Sequence, residues 1–178
     1  DKIVNSDILS KLNLKIGKYF LVSIHREENI ENQNILIIFD LLNKISKRYN
    51  TPIIFSTHPR TKKRISKLNL NIDSNINLIN PLSFSDYNSL QINSKAVISD
   101  SGTISEESSI LNFPAINLRE NHERPEAMEE ASVIMTGLNC ERVIQSLEIL
   151  FLQKRGESRT LNIVKDYNIE NVSEKIIR

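Results

Sequence analysis

The residues able to do chemistry fall in four short stretches. His25-Arg26-Glu27-Glu28-Asn29 follows the apolar run 19–24 (YFLVSI). A His and an Arg there could share an anionic ligand; equally, the stretch reads as a solvated loop whose acids pair with the Arg. Thr57-His58-Pro59-Arg60 follows a second apolar run, 52–56. Its Pro sits where a first helical turn tolerates one, so it also reads as a capped helix start with an exposed His. Ser99-Asp100-Ser101-Gly102-Thr103, continuing as Ile104-Ser105-Glu106-Glu107, leads by small residues from an apolar run into a helical pattern. Free N–H groups of such a first turn, with the Ser101 and Thr103 hydroxyls and the close approach Gly102 permits, suit a diphosphate. Glu107, one turn on, could accept from ribose hydroxyls. The plain alternative is a Ser/Asp N-cap followed by glutamates. The fourth stretch, from Arg119 to Glu126, is again densely charged and ends in Arg124-Pro125. It is either a salt-bridged surface loop or the start of a helix whose Arg reaches a phosphate.

The elements that would position these stretches are legible in the apolar pattern. Runs 19–24, 52–56, 76–79, 96–99, 115–118 and 133–135 read as strands, nearly continuous in apolar residues as expected when both faces are covered. Residues 34–49 carry Ile35, Ile38, Phe39, Leu42 and Ile45 on one helical stripe. Shorter helices are expected at 60–68, 85–93, 103–112, 124–130 and 139–152, with a last one at 171–178. Strand followed by helix, repeated, gives an α/β fold: a doubly wound parallel sheet, Rossmann-like, with ligands at the carboxyl ends of its strands. All four stretches then lie on one sheet edge.

The chain is long enough, at 178 residues, to bury a core as one domain. The near-balance of 23 basic and 22 acidic residues argues against a nucleic-acid module. Apolar runs fall short of the ~18 residues a membrane helix needs. The lone Cys140 excludes a disulfide framework and fits a reducing, cytoplasmic setting. Three His on separate loops, without HxH or HxxxH spacing, argue against a metal site. Lys62-Lys63-Arg64 reads as a solvated helix face. Residues 1–17, polar with a short apolar pattern at Ile8, Leu9 and Leu12, read as a linker, residues 18–155 as the ligand-binding domain and 156–178 as a polar tail.

HREEN, STHPRT, SDSGTISEE and RENHERPEAMEE, in this order and spacing, resemble the non-hydrolysing UDP-N-acetylglucosamine 2-epimerases over about residues 7–150. The match covers the C-terminal half of that family's chain, whose two Rossmann-like domains take the glycosyltransferase-B arrangement with substrate between them. The resemblance implies inversion at C2 of a UDP-linked 2-acetamido sugar. UDP leaves by anti elimination and re-adds once the new face is protonated, with no metal or redox cofactor. It implies a UDP-sugar substrate, a homodimer in the full-length enzyme, and neither nucleic-acid nor membrane partners.

By the same resemblance His25 is the active-site His near the sugar phosphate. Ser101, Gly102 and Thr103 cradle the diphosphate, Glu107 meets the ribose, Arg124 is the cationic partner of the phosphates, and Leu82 and Tyr87 flank the uracil. Arg26, Glu28 and His58 match an adjoining activator site. The carboxylates that move the C2 proton belong to the half not represented here. Many members carry SGG where this chain has Ser101-Gly102-Thr103. STHPRT and NHERPEAMEE resemble the branch acting on UDP-2-acetamido-2,6-dideoxy-L-talose, which leaves that sugar as an alternative substrate. Other readings are the donor-binding domain of a glycosyltransferase and a non-catalytic UDP-sugar sensor.

Overall fold

The computed structural model describes residues 2–30, 33–68, 70–121, 124–130 and 132–177, with the backbone alone described at 128 and 129. His122 and Glu123 of the fourth motif, and the last residue of the expected C-terminal helix, lie outside the described residues. In chain order the elements are α1 (Ile8–Lys11), β1 (Phe20–Ser23), α2 (Glu27–Ile30), α3 (Asn34–Tyr49), β2 (Ile53–Ser56), α4 (Pro59–Lys67), β3 (Ile76–Ile79) and α5 (Phe84–Asn93). There follow β4 (Ala96–Ser99), α6 (Ile104–Leu111), β5 (Ala115–Asn117), α7 (Pro125–Glu129), β6 (Ile134–Met135), α8 (Cys140–Leu150) and α9 (Val172–Ile177).

The six strands form one parallel sheet in the order β3-β2-β1-β4-β5-β6. Alternation along each strand feeds two cores. Phe20, Val22, Ile53, Phe55, Ile98 and Ile116 point to the face covered by α3 and α8. Tyr19, Leu21, Ile54, Val97 and Ala115 point to the other, with Leu90 of α5 and Ile104 of α6. Every one of these strand side chains is at most 2% exposed, which is why the runs lack polar alternation.

The sheet order reverses between β1 and β4, which pair with Ser23 opposite Ser99. Two consecutive crossovers run in opposite directions there, so the loops after β1 and β4 part and leave a crevice. His25 and Ser101-Gly102-Thr103 stand on those two loops.

Parts of the stretches read as linker and tail pack against the domain, while α9 buries no side chain. Ile8 is buried beside Tyr19 and Leu90, and Ser6 donates to Asp86 of α5 at 2.6 Å. After α8, Asn112 Nδ2 donates to the carbonyls of Gly156 and Ser158, both at 2.7 Å, and Val164 is buried. Polar composition concealed these anchors because each depends on one apolar or hydrogen-bonding residue within a polar stretch. Among the described residues no helix is long and apolar enough to cross a membrane.

Candidate functional site

At the crevice, Asp100 leaves β4 with none of its surface exposed. A carboxylate cannot be buried unless donors surround it, and among the described residues its donors come from the loop after β1 and from α2. Oδ1 accepts from His25 N–H at 3.1 Å and faces His25 Nδ1 at 3.3 Å. Oδ2 accepts from Arg26 N–H at 2.9 Å and from the Asn29 side-chain amide at 3.1 Å. This anchor produces α2, where a loop was expected: with the amides of residues 25 and 26 bound, Asn29 and Ile30 N–H close onto the Arg26 carbonyl. Burial of Ile30 holds the turn in place.

The turn after Asp100 is built as a small-residue cradle. Ser101 N–H donates to Ser99 Oγ at 3.1 Å, the Ser101 and Thr103 hydroxyls are 2.9 Å apart, and Thr103 N–H donates to Ser101 Oγ. Thr103 Oγ1 donates to Glu107 Oε1 at 2.8 Å, and Gln91 Nε2 donates to Glu107 Oε2 at 2.5 Å. Glu107 is thus oriented from α5 and from its own first turn. Tyr87, one helical turn before Gln91, stands beside Ser23, Gln91, Glu107 and Asp100; burial, reinforced by those two carboxylates, pushes its hydroxyl up to about 12. Leu82 is half-buried against the same apolar cluster.

On the far side of the cradle, Arg124 does not project as an unpaired cation, as its sequence position suggested. Its Nε donates to Glu106 Oε1 at 2.7 Å, and that bond raises the guanidinium above its ordinary value. Among the described residues Glu106 Oε2 is buried without a hydrogen-bond partner, as is Asn117 Oδ1, whose amide nitrogen donates to the Ser101 carbonyl at 3.2 Å. Gly102, Asn117, Arg119 and Arg124 surround one small cavity there.

The third feature is a cleft of about 610 Å³ between α2 and α4. His25 and His58 stand at its sheet end. Arg60, Lys63, Arg64 and Lys67 continue it along α4. Their spacing of three, four and seven places all four on one helical face, so Lys63 and Arg64, read from sequence as merely solvated, line a cavity. Glu27 and Ile30 of α2 form the opposite wall. His58 caps α4, its Nδ1 accepting from Arg60 N–H at 3.3 Å. Arg26 and Glu28 pair with each other at 3.6 Å and do not line this cleft with His58.

His25, Tyr87, Ser101, Gly102, Thr103 and Glu107 therefore share the crevice, with Arg124 on the outer side of the cradle. Sequence reasoning gave no role to Asp100, Gln91, Asn117 or Glu106. The signal available for Asp100 was an acid on the last buried turn of a strand, where solvation alone cannot hold it.

The UDP-N-acetylglucosamine 2-epimerase family model matches residues 1–178. A UDP-N-acetylglucosamine 2-epimerase of Methanocaldococcus jannaschii is 41% identical over 143 residues, covering 78% of this chain and 39% of its own length. That of Campylobacter jejuni is 34% identical, covering 99% and 48%. Among solved structures, the UDP-N-acetylglucosamine 2-epimerase from Rickettsia bellii superposes with a TM-score of 0.87 at 44% identity, covering 99% of this chain and 47% of that one. The M. jannaschii enzyme in complex with UDP-GlcNAc and UDP gives 0.85 at 33%, covering 99% and 49%. An Escherichia coli ADP-heptose heptosyltransferase, 11% identical with a TM-score of 0.61, shares the fold alone. This chain spans about half the length of the relatives it matches, and over that span it belongs to the UDP-N-acetylglucosamine 2-epimerase family.

Proposed function

We propose that this chain supplies the UDP-binding half of a UDP-N-acetylglucosamine 2-epimerase. The observation carrying the reading is the crevice at the β1/β4 switch point. A hydroxyl-lined turn opens α6 on one side of it, and a His is clamped on the other. The diphosphate would lie over Ser101-Gly102-Thr103, within reach of Arg124. Glu107 would meet the ribose, and Tyr87 and Leu82 the uracil side.

Epimerisation in this reading is an elimination followed by an addition that returns the C2 proton on the opposite face. A base outside this chain removes the C2 proton, the C1–O bond breaks, C1=C2 forms, and UDP departs as an anion. A proton then adds to C2 from the opposite face and the same UDP oxygen re-adds at C1. No electrons are gained or lost overall. This half's part is to stabilise charge developing on the leaving diphosphate, where preorganised donors contribute most. His25 Nε2 would bind near the sugar-linked phosphate. The cationic face of α4 would take a second anionic ligand in the α2–α4 cleft, where the activator reading places one.

Calorimetry with UDP and an epimerisation assay on this chain test the division of labour. The expected outcome is weak UDP binding with no turnover; turnover by this chain alone would overturn it. In the longer enzyme, a transient 2-acetamidoglycal and solvent deuterium at C2 are expected. Transfer of the sugar to an acceptor with release of UDP would favour the glycosyltransferase reading instead.

A further inference from the structure

We propose that Asp100 is a positioning residue for His25: its buried carboxylate fixes the ring and selects the Nδ1–H form, so that Nε2 is the nitrogen left for the ligand. This rests on the assignment of His25 to the active site made above.

Among the described residues, the hydrogen bonds to Asp100 all come from residues 25–29. Burying this carboxylate and shaping the loop are therefore one event. His25 is itself 53% exposed in its side chain, while that of Asp100 is 0% exposed. Oδ1 approaches the ring at Nδ1, and two lone pairs facing each other at 3.3 Å would repel, so Nδ1 carries the hydrogen. His58, at the same cleft, is held the opposite way: its Nδ1 accepts a backbone N–H, which leaves the hydrogen on Nε2. The cleft thus holds two imidazoles in opposite tautomers, each set by a different second group. A carboxylate behind a His orients the ring and holds it in one tautomer.

Asp100→Asn keeps the shape but has only one acceptor oxygen. Oδ2 accepts from three groups, Arg26 N–H at 2.9 Å, the Asn29 amide at 3.1 Å and His25 N–H at 3.2 Å, whereas Oδ1 accepts only from His25 N–H, at 3.1 Å, among the described residues. The Asn oxygen should remain there, turning its NH2 toward His25 and reversing the ring's tautomer.

Multiple-bond ¹H–¹⁵N NMR of the imidazoles, at a pH where all three are neutral, reads this directly, with His58→Gln and His122→Gln assigning the signals. In the unaltered chain His25 is expected as Nδ1–H and His58 as Nε2–H. Finding His25 as Nε2–H overturns the proposal whatever the enzyme catalyses, and it needs no variant at Asp100 to fold. In the two-domain enzyme, Asp100→Asn is expected to lower kcat at least about tenfold while KM changes by less than about twofold. Unchanged kcat also overturns it. An enzyme that binds UDP-sugar without epimerising it would sink the functional reading instead, and leave the tautomer result standing.

Discussion

Asp100 and His25, 75 positions apart, are joined at two points: the carboxylate accepts the His25 backbone N–H at 3.1 Å and faces its ring Nδ1 at 3.3 Å. The loops that follow β1 and β4 are thereby one structural unit. Anything that shifts the Ser101-Gly102-Thr103 turn, the proposed diphosphate cradle, shifts His25 with it. That coupling suits a reaction in which one group must follow a departing phosphate and then receive it again.

Under the proposed UDP site, Arg124 would exchange part of its hold on Glu106 for the phosphates. Arg124→Ala is expected to weaken UDP binding by ~1.5–3 kcal/mol, the usual worth of a hydrogen bond to a charged group. Glu106→Gln removes the competing carboxylate and its repulsion of the diphosphate, and should tighten binding about two- to fivefold. Calorimetry on both variants decides; equal UDP affinity in native protein and Arg124→Ala would place the phosphates elsewhere.

His25→Ala in the longer enzyme should cost turnover more than binding. A ~10²-fold or greater fall in kcat is expected, with UDP affinity almost unchanged. Steady-state kinetics beside a binding titration separate the two, and a loss confined to binding would remove His25 from the chemistry.

The cationic face of α4 carries like charges three and four residues apart, an arrangement that costs helix stability unless an anion relieves it. Lys63→Ala combined with Arg64→Ala should leave UDP binding at the cradle intact. A second nucleotide-sugar binding event should weaken by about two- to tenfold, and its salt dependence should flatten. Equal loss at both events would mean that the cleft and the cradle are a single site.

Acid should loosen the N-terminal segment through Asp86. Hydrogen bonds from Ser6 and then Ser83 hold this carboxyl below its ordinary 3.8. A depressed folded-state value means its contribution is complete above the unfolded value and fades as pH falls below it toward the folded one. Denaturant titrations between neutral pH and the acid range should show Asp86→Asn less stable at neutral pH and less sensitive to acid. Parallel curves for native and variant protein would exclude the linkage.

How much of this was legible in the sequence depended on where the determining contacts lie. Leu21, Ile54 and Val97 announce buried strands because each strand is covered on both faces, and α3 shows its stripe at Ile35, Ile38 and Leu42 without help from the rest of the chain. The four motif loops followed from the strands. What stayed hidden depends on partners far along the chain: α2 exists because Asp100 binds the amides before it, and Arg124 is turned by Glu106, 18 positions away. The row Arg60, Lys63, Arg64, Lys67 looked like solvated surface because its opposite wall, Glu27 and Ile30, comes from another segment.

The most direct measurement is a crystal structure of this chain with UDP. The diphosphate should lie over residues 101–103, with its oxygens met by the first turn of α6 and by Arg124, and with Glu107 beside the ribose. Density for the diphosphate in the α2–α4 cleft, with the turn at Gly102 empty, would contradict the account.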